Sequence, residues 1–396
     1  MPACSEGQTV AVRAGRIITM AGDPIENGII VIRDGRIASV APGGEAPDGA
    51  RVIDASGCVV IPGLVDANGR YGIRGDWNEE SAEITPGFRI GPAVDDASED
   101  MKRAAQLGIT TVRVSPGNQN VIGGEGVILK TAGGSLGAQL VGVSHELKVV
   151  LADDPARGNQ VPWRGRPDSF YFRQPTTRMG VVWLLRQALF KARTAPAGGA
   201  AESDDALAQA LAGDLTVCVL VRMAVDIETT LKVAEEFGLT RLVFEECTEG
   251  YKMADEIAAR GIPVILGPLS ADPRRDRWRR YRGLPEASLN CAGILAAAGA
   301  KVAIASNSPG GPTSLLSAAT MAVRNGMRED DALRAITVNP SEILGIAGRV
   351  GTIEVGKDAD LVILSGPPMQ FTTRIATVLV NGRVVFDAQM GADADE

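Results

Sequence analysis

An α/β architecture is expected for this chain: a (β/α)8 TIM-type barrel joined to a small β-sandwich domain built from both chain termini. Three observations carry it. The two ends are rich in short, turn-punctuated β segments, the middle alternates apolar strands with amphipathic helices, and 396 residues are ample for a closed barrel plus an appended domain. The expected division is residues 1–61 with 346–396 for the composite β domain, and 62–345 for the barrel.

In chain order, VAVRAGRIIT, ENGIIVIRDGRIASVAP and ARVIDASGCVVIP read as strands. Gly15-Arg16 and Asp34-Gly35 sit at hairpin positions between alternating apolar residues. The C-terminal stretch GTIEVGKDADLVILS, then ATVLVNGRVVFD with Asn381-Gly382, mirrors this pattern. Between the ends, strands are expected over Asp214–Val221, Arg241–Glu245, Ile262–Leu266 and Lys301–Ala305. Helices are expected over Asp226–Gly238, Thr248–Arg260, Ser288–Ala298 and Pro312–Arg324. Strand–helix units of this length predict a parallel sheet with right-handed crossovers, and a barrel closes it. Asp153–Thr177, with its arginines and prolines, reads as a long loop, and Thr194–Glu202 as a linker.

Composition narrows the function classes. With 40 basic and 48 acidic residues the net charge is −8, which argues against general nucleic-acid binding. A local exception, RRDRWRRYR at Arg274–Arg282, reads as a solvated loop or lid rather than a phosphate patch. Five scattered cysteines without a CxxC pair suit a reducing compartment. The N-terminal residues lack a signal-peptide pattern and no apolar run reaches the ~20 residues of a membrane span. A cytoplasmic protein that does not engage membranes is expected.

In a barrel of this kind the residues just past each strand's C-terminal end line the active face. That rule selects Asn68 and Arg70 after the first strand, Arg222 after Thr216–Val221, Glu246 and Cys247 after Leu242–Glu245, and Ser306 and Asn307 after Val302–Ala305. The single histidine, His145, precedes an apparent strand at Leu147–Leu151 and so falls toward the opposite face. One histidine is too few for a cluster of neutral imidazoles on a metal ion. Cys247 beside Glu246 lacks a histidine base and reads as a small buried cysteine rather than a nucleophile. Arg70 and Arg222 bring fixed positive charge to the mouth, where Glu246 can pair with one of them and Asn68 and Asn307 add hydrogen bonds. The cluster reads as a structural plug, or as a site where a surplus guanidinium, with Lys130 as a third cation, holds a carboxylate or phosphate.

The stretch Ile61–Arg70, IPGLVDANGR, resembles the first-strand motif PG[LF][IV]DxHxH of the amidohydrolase superfamily. Pro62 to Asp66 match, while Asn68 and Arg70 stand where that motif has its two metal-binding histidines. VIGGEGVILKTAGG, AVDIETTLKVAEEFGL, TEGYKMADEIAARGIPVILGP and VGTIEVGKDADLVILSG are similar to the imidazolonepropionase-like branch, so the resemblance covers nearly the whole chain. It implies a C–N hydrolase fold using zinc or another divalent metal, held by histidines after strands five and six and an aspartate after strand eight. The matching positions here are Leu220 or Arg222, Glu246, and Asn307. No metal or other cofactor is therefore expected, nor confident catalytic residues. The expected role is a non-catalytic subunit, forming a homo-oligomer, pairing with an active homologue or scaffolding a partner. The alternative is a divergent C–N hydrolase, metal-free or with a metal relocated to Asp66, Glu246, Cys247 or His145.

Overall fold

The computed structural model describes residues 9–75, 77–79, 81–132, 139–157, 174–195, 202–269, 285–307 and 312–388. Arg274–Arg282, most of the stretch 153–177 and most of the linker 194–202 lie outside the described residues.

Seven strands from the two ends form one sheet: β1 (Val10–Ile17), β2 (Ile25–Arg33), β3 (Arg36–Pro42), β4 (Arg51–Pro62), β13 (Leu361–Leu364), β14 (Ile375–Val380) and β15 (Arg383–Asp387). Their order is β15-β14-β13-β4-β1-β2-β3. β4 pairs with β1 in parallel and with β13 in antiparallel fashion, which stitches the N-terminal strands to the C-terminal ones. Val12, Ile30, Ile32, Val60, Leu361 and Leu379 are buried together as this sheet's own core. Asp34-Gly35 and Asn381-Gly382 both have positive φ at both residues, the backbone that a two-residue hairpin with the strands' twist requires. Gly15-Arg16 forms no hairpin. It lies inside β1 at a register shift against β4, where a Cβ on Gly15 would come within 2.4 Å of the Ser56 carbonyl oxygen. A tight backbone approach, rather than a turn, explains that glycine.

The chain crosses into the barrel at Gly63, whose missing side chain leaves room for Thr110; a Cβ there would sit 2.2 Å from Thr110 Oγ1. The eight barrel strands are β5 (Leu64–Gly69), β6 (Ile109–Val114), β7 (Ile122–Lys130), β8 (Leu140–Val150), β9 (Thr216–Val221), β10 (Leu242–Glu246), β11 (Val264–Leu266) and β12 (Val302–Ile304), hydrogen-bonded in that order. The expected all-parallel arrangement is corrected at one strand: β7 runs antiparallel to both β6 and β8. The links on either side of β7 are too short for a helical crossover, which needs a dozen or more residues. The link before β7 is the seven-residue stretch SPGNQNV.

β5 and β12 are not joined by a regular ladder. Ile304 N donates to Ala335 O (2.8 Å) and Val65 N to Ile336 O (3.0 Å), so the segment before the helix Val338–Ile343 wedges between them. At the other end of the seam Asn307 N donates to Asn68 O (3.0 Å). Apolar side chains at Val65, Ala67, Ile128, Val243, Ile265 and Ala303 fill the interior, and a larger apolar shell packs between strands and helices. Among the described residues no helix is long and apolar enough to cross a membrane.

Candidate functional site

The mouth lies where β5, β9, β10 and β12 end. Alternation along β10 puts Val243 and Glu245 inside the barrel and Leu242 and Phe244 against the helices. Glu246 and Cys247 then take positive φ, 63° and 44°, as does Asn307 at 35°. Left-handed backbone at three non-glycine residues breaks the alternation and re-aims these side chains, a conformation that persists only when its surroundings enforce it.

What enforces it is a hydrogen-bonded ion cluster. Arg222 binds both oxygens of Glu246, with Nη2 3.1 Å from Oε1 and Nε on Oε2, while its Nη1 reaches Asp154. Asn307 Nδ2 donates to Glu246 Oε1 at 2.7 Å, and Asn118 Nδ2 to the same oxygen at 3.3 Å. Burial opposes the charge on Arg222, yet Glu246 and Asp154 outweigh it and hold the guanidinium above its ordinary pKa range. Asn68 is buried, joined to Asn307 through its carbonyl and to Ser115 Oγ through Oδ1 (3.5 Å). The Oδ1 atom of Asn307 is buried without a hydrogen-bond partner.

Arg70 does not join the cluster. Its guanidinium stacks over Trp77, 4.9 Å from the ring centroid, and it has no acidic partner among the described residues. Of the two arginines expected to offer Glu246 a partner, it is Arg222 that pairs with it through both oxygens. Lys130 is also misplaced by the sequence reading. Because β7 runs backwards, its last residue pairs with Thr111 at the start of β6, at the end away from the mouth. There Lys130 is buried between Asp358 (3.1 Å) and Asp360 (2.5 Å) and ties β7 to the terminal sheet. Leu220 points into a small apolar cluster with Val150 and Ala152. Cys247 is fully buried; burial pushes its thiol well up, with Cys291 adding to the effect. His145 lies within β8, not ahead of it. It is exposed and next to Glu146, which pairs with the first residue of β9, so it sits far from the mouth.

Two constellations escaped the sequence reading. Asp66, from the matched motif, is fully buried and works as a latch across the barrel seam. It accepts from Tyr71 Oη and Ser306 Oγ (both 2.5 Å) and from the backbone of Asn68 and Ser306 (3.1 and 3.2 Å). Burial pushes its pKa up against those donors. Deeper in the barrel, Arg113, Glu146, Lys148 and Glu245 form a buried ion network. Arg113 Nη1 lies 3.2 Å from Glu245, which also pairs with Lys148, and Arg113 Nε lies 2.8 Å from Glu146. Burial raises the Glu245 pKa but Lys148 and Arg113 outweigh it, bringing the group down to about 2. Glu146 is pushed up, chiefly by burial. The available signal was a charged residue alternating with apolar ones inside strands: Arg113 in ITTVRV, and Glu146 and Lys148 in HELKVV.

The donor set does not fit a catalytic divalent cation. A guanidinium has no lone pair, Arg222 carries a fixed charge into the mouth, Glu246 has both oxygens engaged, and Asp154 is paired with the same guanidinium. Among the described residues no group of three or more His, Cys, Asp or Glu side chains is placed to share an ion.

The comparisons with known proteins agree with the architecture. The sequence profile of the Amidohydrolase family matches residues 59–385. An imidazolonepropionase from Sphingopyxis alaskensis is 27% identical over 393 residues, covering 91% of this chain and 93% of its own length. Amidohydrolase tasK from Hapsidospora irregularis is 25% identical over 92% of this chain, which spans only 39% of that larger protein. The crystal structure of an amidohydrolase from Thermotoga maritima superposes with a TM-score of 0.83 at 27% identity, covering 96% of this chain and 100% of the other. With the barrel, the terminal sheet and a family profile spanning most of its length, the chain belongs to the amidohydrolase family.

Proposed function

We propose that this chain is a non-catalytic amidohydrolase, a subunit whose role is assembly with another family member or scaffolding of a partner rather than turnover. The observation that carries the reading is the saturation of Glu246 by Arg222, Asn307 and Asn118 at the barrel mouth. Hydrolysis of a C–N bond at neutral pH needs an activated nucleophile. Free water has a pKa near 15.7, against about 7 on a catalytic zinc ion, and the arginine-filled mouth does not suit such an ion. Asn307 has no proton-accepting carboxylate to act as a general base, and Cys247 is held as a buried thiol. The arginine cluster takes over the charge-balancing role at the mouth as a fixed internal cation.

A second reading, a divergent C–N hydrolase, is favoured by one observation: similarity to imidazolonepropionases runs across nearly the full chain. The two separate in a single assay. Purified protein is incubated with dipeptides, acyl-amino acids and cyclic amides, with and without added zinc or manganese. The first reading expects rates at the buffer level throughout. Turnover that survives purification and disappears in Glu246→Gln or Cys247→Ala supports the second and overturns the first.

A further inference from the structure

The helix Arg178–Thr194, RMGVVWLLRQALFKART, is apolar on two opposite faces. Val181, Leu185, Ala188 and Leu189 are buried against the barrel. On the other side Met179, Trp183 and Phe190 are exposed, at 79%, 55% and 55% of their full accessibility, with exposed Arg186 between the two aromatic residues. A surface helix ordinarily turns charged and polar residues, not a second apolar stripe, away from the core. Beside the outer stripe a groove of about 370 Å³ is lined by Leu151, Ala152, Val182, Trp183 and Val225, and Val225 is itself half exposed.

The spacing of the stripe points to what covers it. Met179, Trp183, Arg186 and Phe190 stand at intervals of four, three and four residues, a pattern that reads the same in both directions about a point between Leu184 and Leu185. Intervals of four and three keep side chains on one seam when helices pack at a shallow angle. Laid antiparallel against its own copy, the stripe sets Met179 against Phe190 of the partner subunit and Trp183 against Arg186 of the partner subunit, and two-fold symmetry repeats both pairs. Thioether on phenyl ring and guanidinium on indole are both favourable contacts. Arg186 also carries its own counter-charge, since Nη2 lies 2.6 Å from Glu236 Oε1, so bringing two copies together does not confront bare cations.

We propose that this helix is a two-fold interface through which two copies of the chain pair antiparallel. A single helix pair is small beside the roughly 1,600 Å² of a standard interface, so the dimer is expected to be reversible.

Sedimentation velocity on the full chain from about 1 to about 200 µM tests it, with a shift from monomer to dimer expected across that range. Trp183→Ser with Phe190→Ser abolishes the shift while leaving the melting temperature near that of the parent, because both side chains are exposed in the monomer. Register is tested with Met179→Cys and Phe190→Cys, purified separately, mixed and oxidised. A disulfide between positions 179 and 190 is expected by peptide mass spectrometry in the mixture only, because each position lies roughly 16 Å along the axis from its own symmetry mate. A protein monomeric throughout, a dimer that survives the double substitution, or cross-links between identical positions would each overturn the proposal.

Discussion

At the scale of single residues, Glu246 decides the character of the mouth. It holds Arg222 and Asn307 in place and keeps left-handed backbone at its own position. Glu246→Ala strips Arg222 of one of its two carboxylates and leaves it with Asp154 alone. Breaking a buried pair from one side costs on the order of 3 kcal/mol, to be read as a lower midpoint in denaturant unfolding. An unchanged midpoint would show the cluster to be solvated. Glu245 supplies a pH test. Its folded pKa is depressed to about 2, so its contribution is complete above the ordinary glutamate value and is lost as pH falls through the depressed one. Glu245→Gln is therefore expected to be less stable than the parent at pH 7, with the gap narrowing between about pH 4.5 and about pH 2. A gap that stays constant over that range would place the Glu245 pairings outside the folded core. The strand-end rule picked out Asn68, Arg222, Glu246 and Asn307, which the structure brings together, because their placement depends only on where strands stop. It could not tell which arginine would pair with Glu246, since that Arg222 does so while Arg70 stacks on Trp77 is decided by rotamers and by Asp154, a residue distant in sequence.

At the scale of elements, the reversed β7 explains the largest misplacement. Reading every barrel strand as parallel put Lys130 near the mouth, whereas reversal carries it to the opposite end and into contact with Asp358 and Asp360. The signal was present in the short Pro-Gly-Asn link before Ile122, but repeated strand–helix units elsewhere favoured uniform direction. The terminal hairpins at Asp34-Gly35 and Asn381-Gly382 were legible because positive φ at two successive positions demands those residue types. Gly15 was not, because a glycine required by a neighbouring carbonyl looks in sequence like a glycine required by a turn. Lys130→Met keeps the aliphatic volume, leaves Asp360 without its buried cation and leaves Asp358 with Arg349 alone. It is expected to lower stability by roughly 3 kcal/mol and to let protease cut the terminal strands at concentrations that spare the parent. Equal resistance in limited proteolysis would show that Lys130 does not hold the terminal sheet to the barrel.

At the scale of the whole molecule, the framework and the site diverge. The barrel and the sheet built from both ends belong to a family whose profile covers most of the chain, and Asp66 latches the barrel seam. The mouth is instead filled by the Arg222 guanidinium, the carboxylates of Glu246 and Asp154, and the side-chain amides of Asn118 and Asn307. Fold alone does not establish activity, because activity resides in the residues set on it. Arg222 supplies a fixed positive charge there, and Glu246 and Asp154 balance it. The same physics predicts the outcome of restoration: Asn68→His, Arg70→His, Glu246→His and Asn307→Asp, with histidine at 220 or 222, should confer metal binding that the parent lacks, read by isothermal titration. Failure of that variant to bind while folded would mean that these five positions do not converge.

The mouth carries its own cation in Arg222, and among the described residues its donor set does not fit a catalytic metal ion. The most direct test of this is elemental analysis of the purified chain after exchange into buffer with zinc and manganese, followed by desalting. Well below one equivalent of either metal per chain is expected. Retention of one equivalent, resistant to desalting, would contradict it.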